Sequence, residues 1–442
     1  VLHGGSAAEM HTASTTHRTL ASKRARHHPP RMPHSEARVV DVARGERLPA
    51  LDLLRGLVMV VMALDHTRDY FHNLQFSPLD LTQTTPAIFF TRWITHFCAP
   101  VFVFIAGTGA FLYGQRHTRG ELSRFLWTRG VWLIVLELTW VRFSWSFDPD
   151  LRHGAVQVIW ALGVSMIILS AFVRLPLWIT ITFGLVMCAT HNLLDPIEAA
   201  REGPPSFLWA ILHETHRFKF DENWGLAIRY PLIPWIGVMA VGYAFGSLML
   251  LPREQRRRSV MKLGLALCAL FVVLRAINVY GDPHPWVHQF ASSVSKSADG
   301  AVINHESHPN PFFTFLSFVD CTKYPPSLDY LLMTIGPALV FLALMDREVP
   351  RLAKPILVFG RVPMFFYLLH IPLIHASSLA VDYLRNGPRT LDANMFEPPP
   401  NWGVGLPGVY LAWISIVVAL YFPCRWFAGV KQRRREAWLS YL

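Results

Sequence analysis

The sequence predicts an all-α fold, a multipass integral membrane helical bundle of about ten transmembrane helices with both termini cytoplasmic. Three observations predict it. Apolar residues come in long runs separated by short polar stretches. Only 16% of the 442 residues are charged and 52% are hydrophobic, with a mean hydropathy of +0.30, whereas a soluble domain carries about a quarter charged residues. Basic residues also fall in alternate loops, the pattern of cytoplasmic segments.

The expected helices, in order, are Leu51–Phe71, Ile88–Tyr113, Phe125–Phe143, Val156–Val173, Leu177–Leu193, Leu232–Leu251, Met261–Tyr280, Leu328–Met345, Pro355–Leu384 and Val404–Phe427. A run of about 18 apolar residues suffices to cross a bilayer. The ninth run is longer than a bilayer needs and carries Gly360, Pro363 and Pro372, so a kink or a break is expected there. The 15 Trp and 12 Tyr suit two interfacial belts.

Charge orders the loops. With the N-terminus inside, the inner segments carry Arg116, Arg119, Arg124 and Arg129, then Arg174, then Arg253 and Arg256 to Arg258, then Arg347, Arg351 and Lys354. Residues His72 to Ala87 hold no Lys or Arg and fall outside. Two outer segments, Leu194–Pro231 and Gly281–Ser327, are long enough to fold partly over the outer surface. Three regions follow: a disordered basic tail over 1–48, without the apolar core of a signal peptide, a transmembrane domain over 49–430, and a basic cytoplasmic C-terminus over 431–442.

The net charge of +11 fits this loop pattern, so the expected partner is the lipid bilayer and not nucleic acid. The five cysteines offer no disulfide framework and no metal spacing. A homo-oligomer is compatible with the sequence.

Ionisable groups inside a membrane are costly and normally face a cavity or a partner. On the first helix, Asp52, Arg55, Met59, Met62, His66 and Asp69 share one stripe at 100° per residue. Arg55 and His66 stand eleven residues apart, about 16 Å along the axis. The plain reading is a row of i,i+3 ion pairs, Asp52 with Arg55 and His66 with Asp69. The functional reading is a polar seam joining the two sides of the membrane. Arg92 and His96 share a face of the second helix, where Gly107, Thr108 and Gly109 form a small-residue surface for helix contact. Further polar candidates are Glu137, Arg142, Gln157, Arg275, Tyr367, His370 and His375, with Lys323 and Tyr324 in the outer stretch before helix eight. Glu137 needs a cation, Arg275 or Arg92, or a proton. For Lys323 and Tyr324, interfacial anchoring stands beside contact with a substrate.

Three segments, LDLLRGLVMVVMALDHTRDYF, HFCAPVFVFIAGTGAFL and AVQVIWALG, resemble the heparan-α-glucosaminide N-acetyltransferase family. Three later ones, RYPLIPWIGVMAVGYAFG, TKYPPSLDYLLMTIGPAL and FGRVPMFFYLLHIPLIH, resemble its uncharacterised bacterial relatives. Arg55-Gly56 followed by His66 is also similar to the broader membrane acyltransferase group. The resemblance implies an acyl-CoA-dependent transmembrane N- or O-acyltransferase, placed by its bacterial relatives in the cytoplasmic membrane. Acetyl-CoA from the cytoplasm would be the acyl donor, with no metal, and a sugar or glycan hydroxyl or amine on the outer side the acceptor. His66 would be the base or the acyl carrier, with Asp65 or Asp69 orienting it. Arg55, paired with Asp52, would meet the CoA. In the family's type enzyme the position matching His66 looks like Asn and the essential His lies further on, which brings in His72; His96 matches an Asp there. His66 is preferred because it shares a face with Arg55. Two other functions fit buried His, Arg and Glu: a secondary transporter of a sugar, lipid precursor or anion, and a membrane scaffold without catalysis. A transporter would show paired halves and broken helices, and the sequence offers one broken helix without a matching partner.

Overall fold

The computed structural model describes residues 48–150, 152–222, 224–291, 294–296, 302–304, 308–387, 402–434 and 436–441. The tail expected over 1–48 lies outside the described residues except for Leu48. The chain is mostly helical. It begins with α1 (Pro49–Phe71). α2 (Pro86–Trp93) and α3 (Cys98–Gly114) form one span interrupted by a 3₁₀ turn at Ile94–Phe97. α4 (Arg119–Leu136) passes through a π-helical turn, Glu137–Val141, into α5 (Arg142–Ser146). α6 (Val158–Phe172) and α7 (Leu177–Thr190) follow, then the short α8 (Asp195–Ala199) and α9 (Phe207–Leu212). α10 (Leu232–Phe245), α11 (Arg253–Ile277), α12 (Pro311–Val319) and α13 (Leu328–Met345) come next. α14 (Lys354–Arg361), α15 (Pro363–Asn386) and α16 (Leu406–Arg433) complete the bundle.

Among the described residues, seven spans are long and apolar enough to cross a membrane: Pro86–Gly114, Leu177–Ala199, Leu232–Leu250, Arg253–Ile277, Leu328–Met345, Pro363–Asn386 and Leu406–Arg433. The three other expected spans are helical as well. α6 is apolar but has 15 residues. α1 has 23 residues, about 35 Å of helix, but carries Asp52, Arg55, Asp65, Arg68 and Asp69. α4 to α5 begins with the charged turn Arg119–Glu121. The break expected in the ninth run is present: Val362 leaves the helical region at φ −132°, ψ 51°, and separates α14 from α15.

The long segments expected outside carry short helices, α8 and α9 in the first and α12 in the second, and the first also contributes to a small sheet. Strands His153–Val156, His216–Lys219 and Gly225–Ile228 make a small sheet in which the first pairs parallel to the third and the second antiparallel to it. These strands are an addition to the all-helical reading, too short to show periodicity in the sequence.

Two helices organise the packing. α10 has 72% of its span buried and packs on α3, α6 and α7. α1 packs on α3, α13, α14, α15 and α16. α7 and α11 at 22% and α16 at 17% are peripheral. Their outward faces carry exposed large apolar residues such as Trp178, Val273 and Phe422, suited to lipid. Backbones meet closely where glycines face each other: Gly107 with Gly242, Gly130 with Gly163, Gly184 with Gly237, and Gly56 with Gly360. A Cβ at Gly56 would overlap the carbonyl oxygen of Ile356, and one at Gly360 that of Asp52. Gly56 is therefore the residue that lets α14 lie against α1. Overpacking a tight contact costs about 1–3 kcal/mol. Gly56→Ala is expected to lower the melting temperature in detergent by several degrees, while Gly109→Ala, whose Cβ meets nothing within 4 Å, leaves it unchanged; equal melting of the two variants would mean the α1–α14 crossing is not tight.

Candidate active site

The stripe on α1 borders a cavity. The cavity has a volume of about 330 Å³, and Arg55, Met62, Asp65 and His66 form one wall of it. Because Arg55 and His66 both line it, it follows α1 for about 16 Å. Its middle is apolar, with Phe102, Ile105, Leu133, Leu162 and Met166. Met59 is fully buried in the core and Asp69 is exposed, so those two members of the stripe do not line it.

At the end where α1 begins, four cations line the cavity: Arg55, Arg129, Arg361 and Lys431. The Arg55 guanidinium donates to Asp52 Oδ1 at 3.0 Å and to the carbonyl of Gly360 at 3.2 Å. Asp52 therefore holds Arg55 in place. Arg361 ends α14 at the break, which turns its side chain into the cavity wall.

The other end is built on Asp65. Its carboxylate accepts from Arg92 at 2.7 Å on both oxygens, pairs with Arg68 at 2.9 Å, and lies 4.0 Å from Lys323 Nζ. Asp69 takes the second contact of Arg68 at 2.5 Å. Both carboxylates are engaged by guanidiniums, and among the described residues neither is hydrogen-bonded to His66. His66 meets another imidazole instead: its Nδ1 is 3.1 Å from His370 Nε2, and His370 Nδ1 is 2.6 Å from the carbonyl oxygen of Tyr367. On its other side His66 lies against Trp145, with ring centroids 5.0 Å apart. Tyr367 and Tyr230 are in the cavity wall.

The segment carrying Lys323 and Tyr324 is pinned by Asp282, which accepts from Thr322 N–H and Oγ1 at 2.8 Å and from Ser327 Oγ at 2.7 Å. Lys323 is 9% exposed, borders the cavity and lies over the Tyr324 ring at 5.1 Å. Burial raises the Tyr324 phenol, but Lys323 and Arg92 outweigh it and the group stands below its ordinary value.

Other sequence candidates lie apart. His72 follows α1, forms an isolated bridge with Val404, and is absent from the cavity wall. Burial and then Arg68 lower its pKa. His96 is fully buried against Tyr330 at 5.4 Å, with neither ring nitrogen hydrogen-bonded among the described residues. Glu137 pairs with neither Arg275 nor Arg92. It accepts the backbone N–H of Trp160 at 3.1 Å and so caps α6, whose N-cap Gln157 makes no side-chain cap. Arg275 donates to the carbonyls of Phe318, His284, Ser317 and Asp320, tying the outer loop to α11. Arg129, Arg361, Lys431 and Tyr230 line the cavity and Trp145 lies against His66, and the sequence reading named none of them as a site candidate. The cations among them looked like inner-loop or helix-end charges.

A helical bundle with charged groups withdrawn from lipid around a long polar-ended cavity defines a multipass membrane protein with an internal site. Residues 47–277 match the family described as heparan-alpha-glucosaminide N-acetyltransferase, catalytic, and the chain belongs to that family. It is thus a membrane protein of acetyltransferase type. The match runs from α1 to the end of α11 and leaves Lys323, Tyr367 and His370 beyond it. No curated protein matches the chain.

Removing one partner of a buried ion pair costs about 3–5 kcal/mol. Asp65→Asn is therefore expected to destabilise the folded protein strongly in a thermal unfolding assay. Asp69→Asn, at a more exposed carboxylate, should melt close to the parent protein. A stable Asp65→Asn protein would mean that the three cations find their counter-charge elsewhere.

Proposed function

We propose that the protein transfers an acetyl or similar acyl group from cytoplasmic acyl-CoA to a hydroxyl or amine of a sugar or glycan on the outer side of a cell membrane. The observation that carries this reading is a single cavity with four cations at one end and His66 at the other. The cation-rich end also lies among the basic loops expected to be cytoplasmic. In this reading about ten spans cross the membrane, with both termini on that side.

The residues fit the donor. Arg55, Arg129, Arg361 and Lys431 suit the phosphates of CoA, Arg in particular by paired N–H donation. The apolar middle suits the pantetheine arm. The acyl carbonyl then comes to rest beside His66, with Lys323 and the Tyr367 hydroxyl as donors toward its oxygen. As the acceptor N or O attacks the acyl carbon, a new C–N or C–O bond forms and the C–S bond breaks. His66 takes the proton from the acceptor and returns it to the departing thiolate. Attack by His66 itself, giving an acyl-imidazole that the acceptor then resolves, uses the same placement. The polar end around Asp65, Lys323 and Tyr230 faces the acceptor's side.

The test is acetyl-CoA turnover by the purified protein with a panel of amino sugars, read by mass spectrometry, and acetyl-CoA affinity by calorimetry. His66→Ala is expected to lose about 10²–10⁴-fold in rate with acetyl-CoA binding retained, whereas His72→Ala keeps the rate. Arg361→Met is expected to weaken acetyl-CoA binding about tenfold, ~1.4 kcal/mol. Folded protein that neither binds acetyl-CoA at millimolar concentration nor releases CoA would rule the reading out.

A further inference from the structure

We infer that His370 is a positioning residue that fixes His66 in the tautomer protonated on Nδ1, so that Nε2 is the nitrogen that does the chemistry. This rests on the acyl-transfer reading above and adds a residue and an atom to it.

The chain of donors can be followed from one end. A carbonyl oxygen only accepts, so the 2.6 Å contact between His370 Nδ1 and the Tyr367 carbonyl places a proton on Nδ1. A neutral imidazole carries one N–H, and Nε2 of His370 is then a bare acceptor. It lies 3.1 Å from His66 Nδ1, so His66 must donate there. The ring planes differ by 28° and the centroids are 5.0 Å apart, with the facing nitrogens much closer than the centres. His66 Nε2 is left with its lone pair free, on a ring that lines the cavity and is backed by Trp145.

The opposite assignment needs a cationic His370 donating to His66. His370 is fully buried, with Phe366 stacked against it at 5.5 Å and Tyr367 beside it. The carboxylates nearest His66 along α1, Asp65 and Asp69, are engaged by Arg92 and Arg68. A buried imidazolium with no carboxylate partner is strongly disfavoured. The neutral relay satisfies both nitrogens of His370 at once.

Catalytic imidazoles are commonly held in one tautomer by a carboxylate, and replacing that carboxylate with an amide costs about 10⁴-fold by inverting the tautomer. Here the same task falls to a neutral ring held by a backbone carbonyl. The break at Val362 makes this geometry available: α15 restarts at Pro363, and Tyr367 and His370 then face α1 one turn apart.

The experiment compares His370→Phe, which keeps a ring and loses the acceptor, with His370→Gln, whose amide oxygen can accept from His66. Both are assayed for kcat and for KM toward acetyl-CoA, and ¹⁵N-histidine spectra of the intact protein report which nitrogen of His66 bears the proton. His370→Phe should lose about 100-fold or more in kcat with KM changed less than about threefold, and His370→Gln should recover at least about tenfold of that loss. The parent spectrum should show His66 protonated on Nδ1, and that state should be lost in His370→Phe. A parent spectrum with the proton on Nε2, full kcat in His370→Phe, or equal losses in both variants overturns the inference. If the parent protein turns over no acceptor at all, the proposed function fails, while the spectrum still decides the tautomer.

Discussion

An ionised carboxylate inside a membrane requires its counter-charge at contact distance, and Asp65 supplies the point around which the half of this molecule near the end of α1 is arranged. It joins α1 to α2 through Arg92, to its own helix through Arg68, and to the loop before α13 through Lys323. Three segments distant in sequence are thereby held around one residue, next to His66. The arrangement also explains why α1 can carry five charged residues. They are directed at partners and at a cavity, and the lipid-facing surface is left to α7, α11 and α16.

Beside the uninterrupted α1, several groups around the cavity lie near places where helices are interrupted. Arg92 immediately precedes the 3₁₀ turn at Ile94–Phe97. Arg361 ends α14 at the break at Val362, and His370 lies about two turns into α15 beyond it. Glu137 opens the π-helical turn, and its carboxylate caps a neighbouring helix. Irregular backbone at membrane depth is tolerated only where protein or a cavity covers it. An interruption therefore both marks the interior and turns side chains into it. The glycine crossings serve the same end: Gly56 and Gly360 bring α14 close enough for Arg55 to reach the Gly360 carbonyl.

Much of this was legible in the sequence because it depends on periodicity. The helices, the break between Gly360 and Pro363, and the shared face of Arg55 and His66 follow from spacing along one chain segment. What spacing cannot give is the partner across the bundle. Asp65 and Asp69 stand one and three residues from His66, yet both are drawn to guanidiniums, which compete better for a carboxylate than a neutral ring does. Arg129, Arg361 and Lys431 carried no local signal, since each sits at a helix end or beside a basic loop where cations are ordinary. Glu137 looked like half of an ion pair, and its partner turned out to be the N-terminus of α6, which it reaches from another helix. The small sheet in the outer segments escaped because four-residue strands are too short for an alternation to register.

The pairing of two imidazoles has a consequence for the chemistry that a carboxylate partner would not have. A carboxylate beside His66 would favour the imidazolium and make it a stronger base, but it would also add a second buried anion near Asp65. With three cations already divided between Asp65 and Asp69, an additional anion would compete for Arg92 or Lys323 and loosen the joint that holds the outer end together. A neutral orienting ring gives direction without charge. It leaves the electrostatics around Asp65 undisturbed, and in the proposed reaction it asks of His66 only that it receive a proton while the acceptor attacks and give it up as the thiolate leaves. In that proposal the demand is brief, and a lone pair that is already aimed at the acceptor meets it.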